Sequence, residues 1–92
     1  MKLDKQRKLQ IPQFIREEKG FNPGDKILIV LEGDNFRLVK ESNEKVVGCA
    51  KMDSKGRIVM PVYLKEHFVE KEIIFYISGG EEGVGLELKE MS

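Results

Sequence analysis

At 92 residues with equal numbers of acidic and basic side chains, the chain is long enough for one compact domain or two very small ones. No stretch approaches the roughly 20 apolar residues that span a bilayer, and the opening Met1-Lys2-Leu3-Asp4-Lys5 has no apolar signal core, so a cytoplasmic location is expected. The net charge of zero hides an uneven distribution: residues 1–19 carry +3, 20–50 carry −1, 51–65 carry +3 and 66–92 carry −5.

The elements recur. Residue n matches residue n+49, and eleven of the sixteen pairs from 2/51 to 17/66 are identical or chemically close. Lys2-Leu3-Asp4 faces Lys51-Met52-Asp53, Lys8-Leu9 faces Arg57-Ile58, Ile11-Pro12 faces Met60-Pro61, and Phe14-Ile15-Arg16-Glu17 faces Tyr63-Leu64-Lys65-Glu66. Two tandem repeats are therefore expected, residues 1–45 and 46–92. The two basic blocks are the same segment of each.

In chain order, a short strand is expected over Lys8–Ile11, ended by Pro12, which removes a ladder donor but suits a first helical position. A two-turn helix follows over Gln13–Lys19, with Phe14 and Ile15 toward the core. Asn22-Pro23-Gly24-Asp25 is a turn, and Ile27–Leu31 with Phe36–Lys40 make a hairpin around Glu32-Gly33-Asp34-Asn35. Val46–Met52 is an extra strand leading into the second repeat, and the apolar run around Cys49 marks that cysteine as a buried strand residue. A single cysteine makes neither an internal disulfide nor, alone, a metal site.

The second repeat follows the same plan: a strand over Arg57–Met60, a helix over Val62–Phe68 with Tyr63 and Leu64 inward, then Ile73–Ile77 and Val84–Lys89 around a glycine-rich bend from Gly79 to Gly83. Phe68, Phe75 and Tyr76 read as core. Ile73-Ile74-Phe75-Tyr76-Ile77 has nearly no polar face, which suits burial on both sides or a subunit interface. His67 reads as a packing or surface residue. A unit of about 45 residues cannot readily close a core alone, so a mainly β fold with short helices is expected, a barrel built from both halves.

Asp53-Ser54-Lys55-Gly56-Arg57-Ile58-Val59-Met60-Pro61, followed by Leu64-Lys65-Glu66, resembles the signature of the AbrB/MraZ/SpoVT superfamily. Asp4-Lys5-Gln6-Arg7-Lys8-Leu9-Gln10-Ile11-Pro12, then Ile15-Arg16-Glu17, is a looser version, and Phe21-Asn22-Pro23-Gly24-Asp25-Lys26 resembles the loop after the helix in the same family. The resemblance implies a swapped-hairpin, double-psi-like β-barrel and sequence-selective binding of double-stranded DNA. It also implies assembly into homo-oligomers, as in the rings of MraZ-type proteins. It directs attention to Lys2, Lys5, Arg7, Lys8 and Arg16 in the first repeat and to Lys51, Lys55, Arg57 and Lys65 in the second. Arg57 is the expected base contact, the lysines the expected phosphate contacts.

Two departures stand out. The Gly-Arg pair, intact as Gly56-Arg57, becomes Arg7-Lys8, so Arg7 implies either a different local backbone or strain where glycine would permit positive φ. Glu17 and Glu66 follow the helical basic residues where AbrB has a second arginine, which removes positive charge.

No phosphate loop, nucleophile–histidine constellation or metal-ligand spacing is present in the sequence, so neither an enzyme, a cofactor, a small-molecule substrate nor a membrane partner is expected. The competing expectation is a protein-binding or assembly module, including an antitoxin-like partner. Antitoxins of this kind carry a long C-terminal tail, whereas only Glu90-Met91-Ser92 follows the second repeat, so DNA binding is the preferred reading. The linker Glu41 to Lys45 permits closure of the halves within one chain or exchange between chains.

Overall fold

The computed structural model describes residues 1–77 and 81–91. Seven strands, one α-helix and one 3-10 helix follow in the order β1 (Lys8–Gln10), α1 (Gln13–Lys19), β2 (Lys26–Glu32), β3 (Asn35–Val39), β4 (Val46–Lys51), β5 (Arg57–Val59), the 3-10 helix Val62–Phe68, β6 (Lys71–Tyr76) and β7 (Val84–Glu90). The described residues are mainly β, with two short helices. The expected bend between β6 and β7 falls partly outside the described residues, at Gly79 and Gly80.

The strands form two antiparallel sheets, a five-stranded one in the order β4-β2-β3-β7-β6 and a two-stranded ribbon of β1 and β5. Among the described residues their ladders do not join into one closed barrel. Side chains from both sheets pack into one core. Leu9, Ile11, Ile58 and Met60 from the ribbon segments are fully buried, in one core with Ile27, Ile29, Phe36 and Leu38 of the first hairpin and Ile73, Val84 and Leu86 of the second. One core thus draws on both halves of the sequence, as the marginal size of either half requires.

Residues 49 apart in the sequence meet in the pairing. In the ribbon, Leu9 lies opposite Ile58, its own partner at an offset of 49. Beyond the strands, the Ile11 amide donates to the Gly56 carbonyl at 3.1 Å and the Met60 amide to the Arg7 carbonyl at 2.7 Å, again two equivalent bonds. In the large sheet β3 meets β7 around Arg37 opposite Gly85, with β2 and β6 outside them. A pseudo-two-fold axis therefore runs between Leu9 and Ile58 and between β3 and β7.

The outer edges differ. β4 covers β2 from Lys26 to Val30. On β6, Met1 takes the matching place: the Ile73 amide donates to the Met1 carbonyl, and the Met1 ammonium donates to the Ile73 carbonyl at 3.1 Å. Among the described residues no strand lies beside β6 beyond that point.

The helices end differently for a local reason. After α1, Gly20 adopts a left-handed conformation (φ 70°), its amide returning to the Arg16 carbonyl, a glycine C-terminal cap. No glycine follows Phe68. The chain leaves through extended Val69 and puts Glu70 at φ 56°, and the segment Val62–Phe68 winds as a 3-10 helix.

Several inward expectations are corrected. Ile15, Leu64 and Phe68 are buried, but Phe14 and Tyr63 are 65% and 66% exposed. On helices of two turns only one narrow stripe reaches the core, and Ile15 and Leu64 occupy it. Cys49 is exposed: alternation along β4 turns Gly48 inward, where a side chain would meet Pro61, Tyr63 and Leu64, and so turns Cys49 outward. In β6 only Ile73 is fully buried; Phe75 is partly buried against the core, and Tyr76 lies half-buried, its ring across Gly85 of β7. His67 packs edge-on to Phe36, ring centroids 5.4 Å apart. Among the described residues no helix is long and apolar enough to cross a membrane.

Candidate nucleic-acid interface

The ribbon decides where the basic residues go. Because Leu9 and Ile58 point into the core, strict alternation turns Lys8 and Gln10 of β1, and Arg57 and Val59 of β5, to the other face. In register, Lys8 stands opposite Val59 and Gln10 opposite Arg57. The basic blocks, 49 residues apart in sequence, thus meet on one outward face.

Each strand is launched by the same turn. The Asp53 carboxylate accepts from the amides of Lys55 and Arg57, both at 2.9 Å, and the Gly56 amide donates to the Asp53 carbonyl at 3.1 Å. The Asp4 carboxylate accepts from the amides of Gln6 and Lys8, and the Arg7 amide donates to the Asp4 carbonyl. Both aspartates are therefore turn-formers, the usual Asx role. The antiparallel ribbon puts the two turns at opposite ends, which leaves exposed Lys5 at one end and exposed Lys55 at the other.

Asp53 does more than Asp4. Its second oxygen accepts from Arg57 Nε at 2.9 Å. The Arg57 amide, above all, holds the Asp53 carboxyl below the usual carboxylate range, against a desolvation cost and with help from the Arg57 guanidinium and the Lys55 amide. Arg57 is thereby anchored through Nε, so its terminal amino groups are the ones available to a ligand. Gln10 is anchored too, its Nε2 donating to the Lys55 carbonyl at 2.9 Å.

Arg7 and Arg16 serve the scaffold. Arg16 Nε donates to the Ile11 carbonyl and Arg7 Nε to the Met60 carbonyl, both at 2.9 Å; these carbonyls are repeat-equivalent. The donors are not. Arg16 reaches from α1 across Gly56, where a Cβ would fall 2.4 Å from its guanidinium carbon. The equivalent of Arg16 is Lys65 and that of Gly56 is Arg7, and there Arg7 itself supplies the bond. Arg7 has φ 62° and Gly56 φ 80°, so the backbone is the same in both turns and the arginine bears the strain.

Of the other expected residues, Lys51 is exposed at the end of β4, two positions before Asp53. Lys2 and Lys65 come together around a shallow depression with Leu3, Phe68 and Lys71 rather than on the ribbon face. Gln10 and Val59 belong to the face although charge does not mark them; the alternation around Leu9 and Ile58 does.

Acidic residues gather elsewhere. On the large sheet, Arg37 is buried, with Nε 2.8 Å from Glu32 and Nη2 2.7 Å from Glu81. The Glu32 carboxylate is the main reason its guanidinium is held more firmly protonated than usual. Among the described residues no group of three or more histidine, cysteine, aspartate or glutamate side chains could hold a metal ion.

No family model, curated protein or solved structure matches the chain.

Proposed function

We propose that the protein is a sequence-specific regulator of transcription that binds double-stranded DNA through the outward face of the β1–β5 ribbon, as a tandem-repeat relative of the AbrB/MraZ/SpoVT superfamily. The observation that carries this reading is the meeting of the two basic blocks on that face, with Lys8, Gln10 and Arg57 outward and Lys5 and Lys55 at its ends. A two-stranded antiparallel ribbon fits the B-DNA major groove. Arg57 contacts a base, while Lys5, Lys8 and Lys55 contact phosphates and supply most of the affinity. The acidic C-terminal segment turns away from the duplex. The fold is read as a swapped-hairpin barrel whose halves enclose one core, with the protein acting in the cytoplasm on the nucleoid.

The test is selection from a random duplex library at near-physiological salt, then anisotropy titration of the winner against scrambled DNA. A recovered motif is expected, with log affinity falling against log salt at a slope of about −0.9 per phosphate contacted. No enrichment, together with a flat salt response, contradicts the reading.

One observation favours a second reading, an assembly or protein-binding module without strong DNA binding. The edge of β6 past Met1 has no neighbouring strand among the described residues, and Ile73-Ile74-Phe75-Tyr76-Ile77 carries no charge or proline to discourage pairing. Sedimentation without DNA tests it: concentration-dependent self-association alongside absent DNA binding would favour this alternative.

A further inference from the structure

The ribbon is symmetric in backbone and asymmetric in chemistry. The axis between Leu9 and Ile58 exchanges Lys8 with Arg57 and Gln10 with Val59. One half of the outward face therefore presents Arg57 beside Gln10, two polar side chains each anchored to the Asp53–Gly56 turn. The other half presents Lys8 beside Val59, a point charge next to an aliphatic side chain that is 44% exposed. A symmetric DNA reader would carry the same pair twice.

We infer that the protein reads an asymmetric duplex, with a G·C pair under the Arg57–Gln10 half and an A·T pair, thymine methyl toward Val59, under the Lys8–Val59 half. This rests on the ribbon being the DNA-binding surface. Arg57, fixed through Nε, offers its terminal N–H groups to guanine O6 and N7. Gln10, with Nε2 committed to the Lys55 carbonyl, offers its Oε1, an acceptor for the amino group of the paired cytosine. Val59 offers no hydrogen bond, and the thymine methyl is the apolar group of the major groove. Lys8 lacks a fork and takes a phosphate. Outward residues two apart on a strand are separated by about 6.5 Å, so the two pairs stand about two base-pair steps apart, at about 3.4 Å each.

The first arm selects from a random duplex library with the full chain and with the double variant Lys8→Arg/Val59→Gln, which gives both halves one chemistry. The native chain is expected to enrich a motif without dyad symmetry, and the variant one with a G·C pair on both sides. A palindromic motif from the native chain, or the same motif from both proteins, overturns the inference while leaving DNA binding intact.

The second arm uses the native chain's selected duplex with the thymine replaced by uracil, which removes only the methyl. Affinity is expected to fall about fourfold, the equivalent of one buried methylene, and Val59→Ala is expected to abolish the difference. No loss with uracil overturns the Val59 contact. Salt-sensitive binding with no enriched motif overturns the base readout alone. Absence of duplex binding at any salt overturns the ribbon reading and this inference together.

Discussion

The two turns that launch β1 and β5 share hydrogen bonds and backbone but solve one problem differently. In the second repeat's turn, Gly56 takes the left-handed position at no cost, and its missing side chain makes room for Arg16 to pass over it and cap the Ile11 carbonyl. In the first, Arg7 holds the same φ with a side chain, which costs of order 1–3 kcal/mol, and caps the Met60 carbonyl itself. Lys65 is thus relieved of the role its counterpart Arg16 performs. The comparison teaches that a motif can lose its glycine and keep its geometry when the replacing residue supplies the bond that the glycine had made possible.

The largest expected effect tests the symmetry itself. Leu9→Ala and Ile58→Ala each remove a fully buried side chain at the axis and should each cost about 2–5 kcal/mol, measured as urea midpoints. Similar costs in the two halves support a shared core; a tolerant half would break the comparison.

Next come the turns. Gly56→Ala should cost about 1–3 kcal/mol through strain alone and also displace Arg16. Arg7→Gly should cost less, because relief of strain offsets the lost bond to Met60, which as a charge-assisted bond is worth about 1.5–3 kcal/mol. Arg7→Gly/Lys65→Arg rebuilds the second turn's arrangement in the first and should recover about 1 kcal/mol of that loss; no recovery would show that the exchange is not compensatory.

In binding, Arg57→Ala is expected to lower specific affinity about 10- to 100-fold, the worth of a bidentate base contact. Lys8→Ala should lower it only a few-fold, at every sequence alike. Equal effects in anisotropy titrations would remove the asymmetry between the repeats.

The smallest effect is on pH dependence. The Asp53 carboxyl is held below the usual carboxylate range in the folded protein, so it contributes stability above that range, lost as pH falls through the lowered value. The difference in urea midpoint between the native chain and Asp53→Asn should therefore be greatest near neutrality and shrink on acidification. A difference that stays constant with pH would contradict the carboxylate's part in the turn.

Much of this was legible from repetition and alternation. The offset of 49 pairs Leu9 with Ile58, which lie opposite each other in the ribbon, and Pro12 and Pro61 place the helix starts where they are observed, at Gln13 and Val62. Hydrophobicity read without helix length misplaces Phe14 and Tyr63, because two turns cannot bury two adjacent residues. The exposure of Cys49 depends on which face of β4 the Pro61–Leu64 segment covers, a tertiary fact. At the candidate site, charge points to Lys8 and Arg57 but misses Gln10 and Val59, and it does not separate the scaffold arginines, Arg7 and Arg16, from the outward ones. That separation depends on the carbonyls of Ile11 and Met60, which only the folded backbone brings within reach.

The most direct test of the ribbon as the DNA-binding face is a titration of the 15N-labelled chain with its selected duplex, followed by amide NMR shifts. The ribbon account predicts the largest changes at Lys8, Gln10, Arg57 and Val59 and in the two turns before them, with β6 and β7 little affected. Changes centred on β6, or none at saturating duplex, would contradict it.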